Sequence, residues 1–161
     1  MKDVLDLCRH LPEKKLARGE ILIEESIRTD RIYVLKQGAF EVLRQGVRVI
    51  EVVEPGAFLG EMSALMNSAP TATLTATQDS VVYVIEHAAE AVRTQPELTF
   101  AVAALLARRL NAVTTYLVDI KRQYAGSNTH LGLMDKVLGS LMTMNPSQTE
   151  PGSERSDVPD Y

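Results

Sequence analysis

The amino-acid sequence predicts a mainly β fold with flanking helices. Between about residues 15 and 86, short apolar runs alternate with turn signals at the spacing typical of an all-β sandwich or barrel. Glycines and a Pro-Gly pair at 55–56 separate these runs. After Glu86 the apolar residues recur at helical spacing instead. This pattern favours a closed β-roll, or jelly roll, with helices before and after it.

Six of the apolar runs are predicted strands. Gln45 and Gly46 lie between two alternating runs, which is typical of a hairpin turn. The predicted strands cover residues 21–23, 31–35, 40–43, 47–50, 72–76 and 81–85.

Four helices are predicted around these strands. The first covers residues 3–10, and the second, over 61–66, interrupts the strands. The third covers 87–94, and the fourth is long, from Pro96 to about 124, because proline is favourable at a first helical position. Residues 1–124 are therefore expected to form one domain.

The sequence after residue 124 predicts a different organisation. Residues 125–144 are expected to contain a hinge at 125–128 and an amphipathic helix at 130–142. Residues 145–161 consist mainly of polar residues and proline, which predicts a disordered tail.

Composition excludes several classes of function. The chain has 161 residues, 17 Lys and Arg and 21 Asp and Glu, and so a net charge of -4. An acidic chain is poorly suited to bind the phosphate backbone of DNA. No apolar run approaches the roughly 18 residues of a membrane span, so we expect neither a membrane protein nor a membrane partner. Residues 1–7 lack the pattern of a signal peptide. The single Cys8 cannot form a disulfide within the chain, which favours a cytoplasmic location.

No enzyme motif is present in the sequence. His10, His87 and His130 are widely separated, and no HxH, HExxH or CxxC pattern occurs. The β-roll of a cupin-type enzyme would need an HxH metal motif, so that class is excluded as well. We therefore expect no catalytic residues, no metal site and no cofactor.

The helix at 61–66 has two interpretations. It begins after Gly60, and the first amides of a helix carry free N–H groups that attract anions. It is either a phosphate cradle or a capped connection between two strands.

Two neighbouring stretches carry a family resemblance. Residues 55–65 read Pro-Gly-Ala-Phe-Leu-Gly-Glu-Met-Ser-Ala-Leu, and residues 69–73 read Ala-Pro-Thr-Ala-Thr. They resemble the phosphate-binding cassette of cyclic nucleotide-binding domains, found in the catabolite activator family and in regulatory subunits of cyclic-AMP-dependent kinase. The resemblance covers about residues 1–125. It implies an eight-stranded β-roll with a short N-terminal helix, a cassette helix and a long C-terminal helix.

The resemblance also implies roles for individual residues. Gly60 lets the backbone approach the cyclic phosphate, Glu61 accepts a hydrogen bond from the ribose 2′-hydroxyl, and the Met62 and Ser63 amides meet phosphate oxygens. The predicted ligand-binding set is Gly60, Glu61, Met62, Ser63, Thr71, Ala72 and Thr114, with Thr71 near phosphate or base and Thr114 near the purine.

One position departs from the family pattern. The family places an arginine where this chain has Pro70, and proline offers neither charge nor donor. A charge-assisted hydrogen bond is worth roughly 1.5–3 kcal/mol, so binding is expected to be weakened roughly ten- to a hundred-fold or more. Arg44 and Arg48, which flank the Gly46 turn, either supply a substitute cation or are simply solvated charges.

The long helix carries a heptad-like seam. Its apolar positions are spaced alternately by four and three residues, which predicts a homodimer. The predicted contact residues are Leu106, Leu110, Val113, Leu117 and Ile120.

These patterns predict a regulatory domain rather than a transcription factor. The 37 residues after 124 include one predicted helix, whereas a helix-turn-helix needs two, so no DNA partner is expected. The leading hypothesis is a stand-alone sensor that binds cyclic AMP or cyclic GMP weakly and acts on an unknown effector protein. The alternative is a ligand-independent interaction and dimerisation module.

Overall fold

Two antiparallel sheets of four strands each form a jelly roll in the computed structural model, which describes residues 4–123 and Gly139. The strands are β1 (Glu13–Leu16), β2 (Ile21–Ile23), β3 (Arg31–Gln37), β4 (Phe40–Arg44), β5 (Val47–Val52), β6 (Phe58–Leu59), β7 (Thr73–Ala76) and β8 (Ser80–Glu86). The first sheet has the order β1-β8-β3-β6, and the second has the order β2-β7-β4-β5. The predicted fold class is confirmed.

Four helices flank the strands in the described part of the chain. They are α1 (Val4–Cys8), α2 (Glu61–Met66), α3 (Ala88–Thr94) and α4 (Pro96–Gln123). The predicted bounds of α2 are those observed, and α1 ends at Cys8, two residues earlier than predicted. Prediction succeeded here because Gly60 and Pro96 are strong local boundary signals.

Two strands were not among the apolar runs. β1 reads Glu-Lys-Lys-Leu, and of these residues only Leu16 is buried. β6 has just two residues, Phe58 and Leu59, both buried. β1 is a strand because it pairs with β8, and β6 because it pairs with β3. Neither segment has an apolar periodicity from which a strand could be predicted.

The hydrophobic core consists of two clusters separated by the first sheet. Ile32 and Val34 of β3 belong to a cluster shared with α1, α3 and the start of α4. Tyr33 and Leu35, on the other face of β3, belong to the cluster inside the roll. β3 is therefore buried on both faces, which explains its continuous apolar sequence. In the first cluster, Cys8 is 1% exposed, and its burial raises the pKa of the thiol to about 11.

The chain divides into two compact units, Met1–Leu106 and Ala107–Tyr161. The first unit contains the jelly roll and the first part of α4. In the second, α4 continues to Gln123, and Gly139 is helical. The rest of the predicted helix at 130–142 and the predicted tail lie outside the described residues, so the predicted domain limits remain predictions.

The long helix α4 bears on the expectation about membranes. This helix is long and apolar enough to cross a membrane by length and composition, although no uninterrupted apolar run in it is that long. Arg108 and Arg109 fall inside every 18-residue window of the helix. Each arginine costs about 2.5–3.5 kcal/mol at the centre of an inserted helix, so this feature alone is weak evidence for a membrane span.

Candidate functional site

Gly60 joins β6 to α2 in a conformation that favours glycine. Its φ of 86° and ψ of 4° lie in the left-handed region. A Cβ atom at this position would lie 3.0 Å from Ile23 Cδ1 and 3.3 Å from the carbonyl oxygen of Arg31. The left-handed turn and the close approach of β2 and β3 therefore both favour glycine at this position.

The first turn of α2 buries two of its polar side chains. Glu61 is 3% exposed, and Ser63 is 7% exposed. The Ser63 hydroxyl donates a hydrogen bond to the carbonyl oxygen of Gly60 at 2.9 Å. Met62 is instead 52% exposed. Since glutamate is rarely buried to this extent, the position of Glu61 marks this turn as the chemically unusual part of the roll.

Strand β2 and the loop after it connect the two halves of the cassette. Ile23, whose Cδ1 atom would meet a Cβ at Gly60, pairs with Leu74 of β7. In the following loop, the Glu25 amide donates to Thr73 Oγ1 at 3.0 Å. The Ser26 amide donates to the carbonyl oxygen of Pro70 at 2.9 Å. Pro70 and Thr73 are thus held to this loop, and Gly60 lies against Ile23, which directly precedes the loop.

Pro70 is a buried part of this arrangement. Its carbonyl oxygen accepts a backbone hydrogen bond, while its ring has no donor to offer a ligand. The neighbouring Thr71 is exposed and Ala72 is half-buried. The backbone next to the predicted site is therefore ordered by hydrogen bonds although the family's arginine is missing.

Two arginines near the cassette are engaged by other groups. The Arg28 guanidinium donates to Asn67 Oδ1 at the C-terminal end of α2. Arg31 Nε lies 2.7 Å from Glu86 Oε2, and this hydrogen bond and charge raise the pKa of the guanidinium. These contacts hold the two arginines at Asn67 and Glu86 rather than at the first turn of α2.

The predicted site residues fall into two groups. Gly60, Glu61, Met62, Ser63, Thr71 and Ala72 all lie in the unit Met1–Leu106. Thr114 lies on α4 in the unit Ala107–Tyr161, where it is half-buried. The ligand-binding roles of all seven residues remain predictions.

Sequence reasoning missed the loop that holds the cassette. Glu25 and Ser26 are separated by 48 and 44 residues from their partners Thr73 and Pro70. Ser26 has a positive φ of 69°, which its residue type does not predict. No sequence signal reveals such long-range contacts.

Comparison with known families and relatives gives a consistent result. The family model described as "Cyclic nucleotide-binding domain" matches residues 13–91. A cAMP-dependent protein kinase regulatory subunit of Yarrowia lipolytica is 34% identical over 80 residues, which are 50% of this chain and 21% of that protein. An uncharacterized ABC transporter ATP-binding protein of Mycobacterium tuberculosis is 35% identical over 66 residues, which are 38% of this chain and 20% of that protein. The chain thus spans about a fifth of the length of these curated relatives.

Solved structures share the fold. The N-terminal domain of a transcriptional regulator from Streptomyces coelicolor is 27% identical with a TM-score of 0.52, over 69% of this chain and 84% of that one. The catabolite activator protein of Thermus thermophilus is 22% identical with a TM-score of 0.61, over 75% of this chain and 60% of that one. At 22% identity, the similarity to the Thermus thermophilus protein shows a shared fold and no more.

Proposed function

Residues 13–91 belong to the cyclic nucleotide-binding domain family, and on this premise we propose that the chain is a regulatory domain that binds cyclic AMP or cyclic GMP. The observation that carries the proposal is the buried Glu61, which directly follows the left-handed Gly60. The proposed domain has no catalytic activity of its own. It works in the cytoplasm and changes its contacts with an effector protein when the nucleotide binds.

Each part of the nucleotide has a proposed partner. The ribose 2′-hydroxyl donates to the Glu61 carboxylate, and the amides of Met62 and Ser63 donate to phosphate oxygens. Thr71 and Ala72 border the phosphate, and Thr114 contacts the purine. The kinase regulatory subunits among the relatives are named for their dependence on cAMP, which supports this nucleotide as the first to be tested.

The proposed affinity is low because of Pro70. The missing charge-assisted hydrogen bond would turn a micromolar site into one of roughly tens to hundreds of micromolar. The amide and carboxylate contacts do not depend on residue 70, so binding is weakened rather than abolished.

Replacing Glu61 with alanine tests the ribose contact. We expect Glu61→Ala to weaken nucleotide binding roughly tenfold or more, since the ribose hydroxyl loses its acceptor. The measurement is isothermal calorimetry with cyclic AMP and cyclic GMP up to millimolar concentrations. Glu90→Ala is a matched control, because Glu90 is also an acidic first-turn residue of a short helix but is exposed.

Two results would contradict the proposal. The first is wild-type protein that gives neither binding heat nor a thermal shift with either nucleotide. The second is equal weakening by Glu61→Ala and Glu90→Ala, which would mean that the loss is not specific to the ribose contact.

An apolar surface on α4 favours a second candidate function, a ligand-independent dimerisation module. Leu110, Val113 and Tyr116 are 46%, 51% and 65% exposed. Leu110 and Val113 belong to the predicted seam, as do the half-buried Leu117 and Ile120. Leu106, the first residue of that seam, packs instead against the first core cluster of its own chain. The proposed contact with a second copy therefore begins at Leu110.

A charge placed in this seam tests the module. We expect Leu110→Asp to raise the dimer dissociation constant at least roughly tenfold, because each buried leucine contributes about 1.5–3 kcal/mol. Size-exclusion chromatography with light scattering measures the mass. Ala112→Asp places the same charge on a different side of the helix and should leave the dimer intact. A wild-type chain that stays monomeric at high concentration would count against the seam.

A further inference from the structure

The two arginines of the β4–β5 hairpin lie on opposite faces of the second sheet. In β4, Phe40 is fully buried and Val42 packs against the core inside the roll, whereas Glu41 and Leu43 are on the other face. Side chains alternate along a strand, so Arg44 is on the same face as Phe40 and Val42. The pairing of β4 with β7 is regular from Phe40 to Leu43. The pairing of β4 with β5 has a register shift at Val42–Leu43, and the extra residue is Val49 of β5, so β4 keeps its alternation.

Arg48 is on the outer face and is already neutralised. It pairs with Leu43, which is on the outer face of β4. Its guanidinium lies 3.0 Å from Glu51 Oε2 and 4.0 Å from Glu41 Oε2. These contacts fit an outward direction and exclude Arg48 from the interior of the roll.

The pairing of β4 with β7 places Arg44 beside the cassette residue Ala72. The last pair of this ladder joins Leu43 to Thr73, so the next residues along it are Arg44 and Ala72. Ala72 shares the inner face with the buried Leu74. Neighbouring strands are about 4.8 Å apart, and Ala72 is two residues from Pro70. The long arginine side chain can therefore reach the region from which the family's arginine is missing.

The backbone around Arg44 is held in place. The Gln45 amide donates to Glu25 Oε2 at 3.1 Å, and the Glu25 amide donates to Thr73 Oγ1 at 3.0 Å. These bonds tie the hairpin turn to the start of β7. The carboxylate of Glu25 accepts the Gln45 amide and forms no ion pair with Arg44. Among the described residues, none forms an ion pair with the exposed Arg44.

We propose that Arg44 supplies the positive charge for the phosphate of the bound nucleotide, in place of the arginine that Pro70 replaces. The assignment rests on the proposed nucleotide-binding function, and it makes Arg44 a determinant of affinity. A guanidinium from β4 approaches the phosphate from the neighbouring strand, and it donates charge-assisted hydrogen bonds to the phosphate oxygens.

The test compares the two hairpin arginines by calorimetry with cyclic AMP and cyclic GMP. Arg44→Gln should raise the dissociation constant roughly ten- to a hundred-fold. Arg44→Lys keeps the positive charge, so it should raise the dissociation constant less than Arg44→Gln does. Arg48→Gln is the matched control and should stay within about twofold of wild type, since Arg48 is paired on the outer face. Both positions are exposed, and circular dichroism checks that each variant is folded.

The possible failures are distinguishable. Wild-type protein that binds neither nucleotide would overturn the proposed function, and the Arg44 assignment with it. Wild-type binding that Arg44→Gln leaves unchanged would overturn the Arg44 assignment alone. An equal loss in Arg44→Gln and Arg48→Gln would also overturn it, because the effect would then be one of net charge.

Discussion

The variant Pro70→Arg is expected to bind cyclic AMP and cyclic GMP roughly ten- to a hundred-fold more tightly than the wild-type chain. The added guanidinium can form the charge-assisted hydrogen bonds to phosphate that proline cannot. The Ser26 amide bonds the carbonyl oxygen of residue 70, and this contact does not depend on the side chain. The loop that holds the cassette can therefore persist in the variant. Calorimetry on both proteins at the same salt concentration measures the change.

Pro70→Ala separates the effect of the charge from the effect of losing the proline ring. Because residue 70 is buried, an arginine there costs stability until a phosphate accompanies it. Nucleotide should consequently raise the Tm of Pro70→Arg more than that of wild type or Pro70→Ala. Equal affinities of Pro70→Arg and Pro70→Ala would contradict the view that position 70 faces the phosphate.

The same variant separates the two candidate functions. If wild-type protein binds weakly and Pro70→Arg binds tightly, the chain is a low-affinity member of the family. If only Pro70→Arg binds, the pocket retains its shape while the wild-type chain acts without nucleotide, as the dimerisation module would.

Combining Pro70→Arg with Arg44→Gln adds a further comparison. If both arginines act on one phosphate, loss of Arg44 should matter less when residue 70 carries a charge.

Local signals in the sequence predicted the parts of the fold that local chemistry determines. α2 begins after Gly60 and ends at Met66, as predicted, because a left-handed glycine and a left-handed Asn67 bracket a short run of helix formers. The charged β1 was missed because its pairing with β8, rather than its own sequence, forms it.

Strand register was the information that the sequence lacked at the candidate site. Arg44 and Arg48 are equivalent in the sequence, one on each side of the Gly46 turn. Only the pairing of β4 with β7 and with β5 assigns them to opposite faces. A shift of one residue in register moves each side chain to the opposite face of the sheet. The sequence of the β4–β5 hairpin does not determine its register relative to β7. The left-handed turn at Gly60 and the start of α2 could be predicted from the sequence, whereas the proposed role of Arg44 required the sheet.

The second large effect is expected at Gly38, in the turn that leads into β4. Its φ of 105° is rarely adopted by residues with a side chain, and a Cβ atom there would lie 2.1 Å from Ser80 Oγ and 2.6 Å from Ser80 Cα. Ser80 is 2% exposed and cannot move away easily, since its Oγ accepts from the Ala39 amide and donates to the carbonyl oxygen of Gln78. Gly38→Ala combines backbone strain with overpacking, so we expect it to lower the free energy of unfolding by roughly 3–5 kcal/mol.

Gly46→Ala provides the matched control for this prediction. Gly46 also has a positive φ, of 76°, but nothing lies within 4 Å of the place its Cβ would occupy. Gly46→Ala should therefore lower the free energy of unfolding only by the backbone strain, about 1–2 kcal/mol. Urea unfolding of both variants measures the difference, which isolates the contact with Ser80. Equal midpoints would mean that Ser80 moves aside. A large difference would show that the lack of space beside the buried Ser80 excludes a side chain at position 38, where the chain turns from β3 into β4.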